Sequence, residues 1–155
     1  MLTVSDRVSR GEAEDRSGDA LEELLRTDGY DVERRVVPDE RDEIAAALHD
    51  LVRSTRLVLT TGGTGLAPRD VTPEATRDVL DREAPGISQA LRADSIAKTP
   101  HGLLSRGIAG VAGATLVVNL PGSTGGCRDG YAVLRPTLEH ALRLLADEAT
   151  VHEQT

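Results

Sequence analysis

The stretch Leu57-Val58-Leu59-Thr60-Thr61-Gly62-Gly63-Thr64-Gly65, continued by Leu66-Ala67-Pro68-Arg69-Asp70-Val71-Thr72-Pro73-Glu74, decides how this chain reads. Its first five residues form a short apolar run closed by glycine, the pattern of a strand buried on both faces at the centre of a parallel sheet. Thr72-Pro73-Glu74 predicts a helix start, with Thr72 capping free backbone N–H groups and Pro73 at the first helical position, and the helix is expected to run to about Glu83. A loop between such a strand and such a helix lies at the carboxyl edge of the sheet, where open α/β folds hold their ligands. Gly62, Gly63 and Gly65 let backbone N–H groups approach an anion and the threonines add donors, so phosphate binding fits. A glycine-rich turn required only by backbone geometry fits the same spacing.

Outward from this stretch, short apolar strands alternate with helical periodicity, which predicts a parallel sheet covered by helices. Leu2 to Val4 reads as a strand, and Leu21, Leu24 and Leu25 mark a helix over Ser17 to Asp28 that stops at Gly29. Tyr30 to Val37 is expected to be a second strand ended by Pro38. Ile44, Leu48, Leu51 and Val52 mark a helix with an acidic first turn. Pro85 to Lys98 predicts another helix, Thr99 to Gly110 is less regular, and Thr115 to Leu120 is the last clear strand. The C-terminal helical region is expected to break at Pro136, with a flexible tail at 151–155. The fold class is therefore α/β, a three-layer α/β/α sandwich with a mostly parallel central sheet, in a single domain over residues 1–150.

The chain has 155 residues, is 39% hydrophobic and carries a net charge of −8, which suits one core and repels bulk nucleic acid and anionic membrane. Tyr30 and Tyr131 are its only aromatic residues, so a stacking platform for single-stranded nucleic acid is missing. One cysteine, Cys127, excludes an internal disulfide; no apolar run is long enough to span a bilayer, and Met1 to Arg10 lacks the order of a secretory signal. The cytoplasm is the expected compartment, with neither nucleic acid nor membrane as partner.

The Walker pattern is absent, since the only lysine is Lys98, and Pro68 stands where the dinucleotide fingerprint needs its third glycine, which weakens a nicotinamide-dependent reading. Asp70, at the end of the loop beside Arg69, is placed to hold Mg²⁺ near bound phosphates. Asp39, after the strand ending Val36-Val37-Pro38, is a candidate second acid, although for Asp39 alone an acid interacting with a helix dipole is the better reading. A second strand-to-helix loop runs Asn119-Leu120-Pro121-Gly122-Ser123-Thr124-Gly125-Gly126, with Asn119, Ser123 and Thr124 as donors. Ser5-Asp6-Arg7 with Asp15-Arg16-Ser17-Gly18 is a third candidate, or simple helix capping. The histidines show no metal-ligand spacing, and no Gly-x-Ser-x-Gly elbow occurs. Arg69 and Arg106 are the arginines expected to grip phosphate or carboxylate directly.

Thr-Val-Ser-Asp-Arg at 3–7, Asp-Arg-Ser-Gly at 15–18, Val-Pro-Asp-Glu at 37–40, Thr-Thr-Gly-Gly-Thr-Gly at 60–65, Arg-Asp-Val-Thr-Pro-Glu-Ala-Thr at 69–76, Leu-Ser-Arg-Gly at 104–107 and Asn-Leu-Pro-Gly-Ser at 119–123 together resemble the molybdenum cofactor biosynthesis family that includes molybdopterin adenylyltransferase. The resemblance covers nearly the whole chain. It implies a three-layer α/β/α fold, usually a homotrimer, and the reaction of Mg-ATP with molybdopterin to give adenylylated molybdopterin and pyrophosphate, with a downstream molybdate-insertion protein as a further partner. By position it implies Asp70 and Asp39 as catalytic and Mg²⁺-holding residues. Gly62, Gly63, Thr64 and Gly65 become the nucleotide-phosphate loop, and Pro121, Gly122 and Ser123 the other substrate loop. It further implies Ser5, Asp6 and Ser105 as binding residues, beside Arg69 from the reading of the arginines above. A non-catalytic molybdopterin-binding or scaffolding module of the same fold is the alternative. Only Met1 and Leu2 precede the Thr-Val-Ser-Asp segment where the family carries several apolar residues, so either the natural start lies upstream or the first strand makes a weak sheet edge. Thr-Gly-Gly-Cys follows Pro-Gly-Ser where relatives often have another proline.

Overall fold

The computed structural model describes residues 1–152, with side chains as far as Ala146. In chain order the elements are β1 (Leu2–Val4), α1 (Asp6–Ser9), α2 (Arg16–Thr27), β2 (Arg35–Val37), α3 (Arg41–Ser54), β3 (Leu57–Thr61), α4 (Thr72–Arg77), β4 (Arg82–Glu83) and α5 (Pro85–Lys98). A 3-10 turn (Pro100–Leu104), β5 (Ala109–Ala112), β6 (Thr115–Leu120) and α6 (Thr124–His152) complete them. The six strands form one sheet in the order β2-β1-β3-β6-β5-β4. β2, β1, β3 and β6 are mutually parallel, while β5 and β4 add an antiparallel edge. From β1 the chain passes to β2 on one side and returns to β3 on the other, so the winding reverses at β1 and opens a crevice at the carboxyl ends of β1 and β3.

The alternation of side chains along the central strands divides the core in two. Leu59 of β3 and Leu116, Val118 and Leu120 of β6 pack with Leu21 and Leu25 of α2 and Cys127, Tyr131, Leu134 and Leu138 of α6. Val58 and Val117, one residue out of phase, pack on the opposite face with Ile44, Leu48 and Leu51 of α3 and Ala75 of α4. Leu91 of α5 joins the first cluster. The sheet is thus the middle of three layers, as the alternating pattern predicts.

Several elements differ from expectation for identifiable reasons. β1 is no edge, since β2 and β3 flank it. The second strand is only Arg35–Val37, which pairs with Leu2–Val4, and Arg34 before it turns to Asp15, Asp19 and Glu22. α4 stops at Arg77 rather than near Glu83, because Arg82 and Glu83 pair with Val111 and Gly110 as the sheet's edge. Within the irregular stretch after Thr99 lie the 3-10 turn and β5. α6 is not broken at Pro136: a proline removes one ladder bond, whereas buried Leu134 and Leu138 seat the helix on both sides of it. Of the tail expected at 151–155, residues 153–155 lie outside the described residues. Among the described residues no helix is long and apolar enough to cross a membrane.

Candidate functional site

The parallel strands end on one rim, and each hands over to a segment picked out in the sequence: β1 to Ser5-Asp6, β2 to Pro38-Asp39, β3 to Gly62–Asp70, and β6 to Pro121–Ser123. The β3 and β6 loops touch through their backbones. Gly62 N–H donates to the Leu120 carbonyl at 3.2 Å, and a Cβ on Gly122 would stand 3.2 Å from Gly62 Cα. Gly62 itself has φ +99°, and a side chain there would meet the Val4 carbonyl oxygen at 2.2 Å. At Gly63, φ +64°, a Cβ would fall 2.3 Å from Thr72 Oγ1 and 3.3 Å from Asp39 Oδ1. Internal packing alone therefore demands glycine at both positions, and it is this packing that brings the loop backbone beside Asp39. Thr72 does not cap α4 as expected; its hydroxyl donates to the Gly62 carbonyl at 2.9 Å and its N–H to the Gly63 carbonyl at 3.1 Å, pinning the turn.

Asp6 and Asp39 are joined reciprocally. Asp6 N–H donates to Asp39 Oδ2 at 2.8 Å, and Asp39 N–H donates to Asp6 Oδ1 at 3.0 Å. Arg69 reaches over from the β3 loop and donates to both Asp6 carboxylate oxygens, at 2.6 and 3.0 Å, and to Glu40 Oε1 at 2.8 Å. Hydrogen bonds from the Arg69 guanidinium, then from the Asp39 amide, hold the Asp6 carboxyl below the ordinary range. Asp39 is shifted the other way. Burial first, with the charges of Asp6 and Asp70, pushes its carboxyl up against the lowering effect of the Asp6 amide. Asp70 is half-buried; its Oδ2 accepts from Ala67 N–H at 2.9 Å and would lie 2.8 Å from a Cβ on Gly65.

Two cavities open beside the Pro121–Ser123 loop and share Ser123. The larger, about 460 Å³, is bounded by Thr64, Gly65, Ser105, Pro121 and Ser123 on the predicted side and by Arg92 and Lys98 of α5 on the other. The smaller, about 370 Å³, is bounded by Ser5, Gly62, Gly122 and Ser123, with Arg7 and Arg16. Asp39, Asp70, Asp6 and Arg69 line neither. The α5 wall is what sequence reasoning missed. Ser88 is the one buried residue of that helix, and nothing in the sequence separates the face of it that borders the cavity from one that borders water.

Some expected contacts are used inside the protein instead. Ser5 caps α1, accepting from Val8 N–H at 3.3 Å, and Asp15 caps α2, accepting from Gly18 N–H at 2.9 Å, so the capping reading holds for both. Asn119 is buried: its amide donates to the Thr60 and Thr76 hydroxyls at 3.0 and 2.9 Å and its Oδ1 accepts from Ile108 N–H at 3.2 Å. Arg69 and Arg106, expected to grip a ligand, are both engaged with groups of the chain. Cys127 is buried, and that burial pushes its thiol up, away from the thiolate a nucleophile needs. Among the described residues no three His, Cys, Asp or Glu side chains are grouped as metal ligands.

Residues 1–140 match the family described as a probable molybdopterin binding domain. The chain is 40% identical over 159 residues to the molybdenum cofactor synthesis protein cinnamon of Drosophila melanogaster, covering 100% of this chain and 26% of that protein. To the molybdopterin adenylyltransferase of Escherichia coli (strain K12) it is 44% identical over 127 residues, covering 79% of this chain and 65% of the enzyme. The chain thus spans about a quarter of the first and just under two thirds of the second. The solved molybdopterin biosynthesis Mog protein of Mycobacterium ulcerans superimposes with a TM-score of 0.89 at 43% identity, over 93% of this chain and 95% of that one.

Proposed function

The chain belongs to the molybdopterin-binding domain family of molybdenum cofactor biosynthesis, and from that membership we propose that it adenylylates molybdopterin with Mg-ATP and releases pyrophosphate. The observation that carries this reading is the single rim on which Asp39, Asp70, the Gly62–Gly65 turn and the Pro121–Ser123 turn all stand. A polyphosphate and a second phosphorylated ligand need such a rim, with main-chain amides for the anions and carboxylates for a cation.

In this reading a terminal phosphate oxygen of molybdopterin attacks the α-phosphorus of ATP. One P–O bond forms there, the bond from the α-phosphorus to the oxygen bridging the β-phosphorus breaks, and the electron pair leaves on pyrophosphate. Backbone amides of Gly62, Gly63, Thr64 and Gly65 hold the nucleotide phosphates, while Pro121, Gly122, Ser123 and Ser105 position the pterin substrate at the larger cavity. Asp70 and Asp39 would hold Mg²⁺, which when bound neutralises phosphate charge. Their chemistry fits that ion: two carboxylates near enough for the Asp70 charge to act on Asp39 suit a cation that takes its other oxygens from substrate and water. Asp6 and Arg69 fix Asp39, and Ser5 lines the smaller cavity. No covalent nucleophile is needed, since positioning and electrostatic stabilisation suffice for such transfers. The proposal extends to residues 1–150 acting as one domain, to a homotrimer in the cytoplasm, and to a molybdate-insertion protein that receives the product.

Purified protein incubated with molybdopterin, ATP and MgCl₂ tests this: pyrophosphate release that needs all three is the expected result. Folded protein that binds the pterin and releases none is instead a binding or scaffolding module.

A further inference from the structure

We propose that Arg106 is a positioning residue for the turn that carries Asp70, holding it from behind rather than touching substrate; the inference rests on the adenylylation reading above. Leu66, Ala67, Pro68 and Arg69 are all exposed, and the turn closes on itself through Asp70 N–H to the Ala67 carbonyl and Ala67 N–H to Asp70 Oδ2, each at 2.9 Å. Arg106 supplies the fixed anchorage. Its backbone N–H donates to the Thr64 carbonyl at 2.8 Å, its Nε to the Gly65 carbonyl at 2.8 Å and its Nη2 to the Asp70 carbonyl at 2.5 Å. Nη1 pairs with the Glu74 carboxylate on α4. One planar fork therefore ties both ends of the turn to the helix that follows it, and each of its nitrogens is engaged.

Arg106 is itself held. Arg92 Nη1 donates to the carbonyls on either side of it, Ser105 at 3.0 Å and Gly107 at 3.2 Å. The connection runs from α5, through the segment bearing Ser105, to the Asp70 turn, so the wall of the larger cavity and the carboxylate share one scaffold. Lysine cannot replace this arrangement, because a point charge with three donors lacks the flat geometry that reaches two carbonyls and a carboxylate together. Without the fork the Gly65 and Asp70 carbonyls lose their donors, and the Asp70 carboxylate is no longer held over Gly65.

The test compares Arg106→Lys and Glu74→Gln with the unmodified protein. Both are expected to melt as folded proteins, and their molybdopterin binding is expected to weaken far less than their turnover, because Arg92 still holds the Ser105 and Gly107 carbonyls from α5. Arg106→Lys is expected to lower kcat by about 100-fold, the scale of a misplacement near an ångström, and to raise the Mg²⁺ concentration needed for half-maximal rate. Loss of global packing alone would lower activity and pterin binding together without moving the Mg²⁺ requirement. Hydrogen exchange on the ligand-free proteins gives a readout independent of activity: backbone amides of residues 65–71 should exchange faster in Arg106→Lys while those of β3 and β6 do not change. Unchanged exchange there, or an unchanged kcat and Mg²⁺ requirement in an active protein, overturns the proposal. If the unmodified protein releases no pyrophosphate, the adenylylation reading fails, and the exchange measurement alone decides whether Arg106 holds the turn.

Discussion

Asp6 and Asp39 each donate a backbone N–H to the other's carboxylate, at 2.8 and 3.0 Å, so two loops 33 residues apart in the chain are locked with their negative charges side by side. Arg69 covers the Asp6 side of the pair, and Asp39 keeps a raised pKa. A carboxyl raised on folding stabilises the fold below the ordinary carboxylate range and loses that contribution as pH rises through its raised value. Asp39→Asn, which keeps an acceptor for the Asp6 amide, is therefore expected to melt higher than the parent at pH 7. The gain should vanish below about pH 3, where the parent's carboxyl is protonated in both states. Thermal melts across that range check the sign, and turnover at pH 7 should fall as stability rises.

Asp70→Asn leaves an oxygen able to accept from Ala67 N–H, so the turn should persist. Only the charge is lost. Pyrophosphate release is expected to fall by at least about 100-fold, the scale at which removal of an electrostatic group registers, with the melting temperature and pterin binding little changed. An Asn variant as active as the parent removes Asp70 from the chemistry.

Gly62 and Gly11 both have positive φ, at +99° and +72°, but only Gly62 has a neighbour in the way. Gly62→Ala must fit a methyl group that begins 2.2 Å from the Val4 carbonyl oxygen, so displacement of β1 adds to backbone strain of about 1–3 kcal/mol. Gly11→Ala meets nothing within 4 Å and should show the strain alone. Urea unfolding of the two variants gives the difference directly; equal losses contradict the close packing of β1 against the turn.

Asn119 joins β6 to β3 and α4 through Thr60, Thr76 and the Ile108 amide, all buried. Asn119→Ala strands the Ile108 N–H and should cost about 1–3 kcal/mol for that donor before the cavity is counted. Denaturant midpoints, with the slope of the transition unchanged, measure it.

The long-period features were legible in the sequence. Apolar triplets such as Leu57-Val58-Leu59 and stripes such as Ile44, Leu48 and Leu51 announce strand and helix because each pattern admits one way of burying its residues. What misled were local signals that lost to pairing and packing. Thr72 looks like a cap, yet the Gly62 carbonyl takes its hydroxyl; Pro136 looks like a break, yet Leu134 and Leu138 keep the helix seated. Tyr30 to Arg34 looks like strand, but Tyr30 and Val32 pack against the core while Arg34 turns to Asp15, Asp19 and Glu22. In the candidate site, Asp39, Asp70 and the two glycine-bearing loops stood out because strand-to-helix turns at a parallel sheet's edge concentrate glycine, hydroxyl and acid residues. Arg92 and Lys98 did not, because a polar helix face reads the same whether water or a cavity lies against it.

Taken alone, the order of residues determined the layers of this protein, the segments that end its parallel strands, and the family to which those segments point. Hydrophobic periodicity and turn chemistry act over a few neighbours and can be read without coordinates. Only the tertiary structure decided which charges meet: that Arg69 turns to Asp6 and Glu40, that Arg106 closes on Gly65, Asp70 and Glu74, and that Asp39 is the carboxyl made costly to ionise. Charge pairing and desolvation depend on distances of a few ångströms between segments remote in the chain, and those distances exist only once the sheet has gathered its strand ends along one rim.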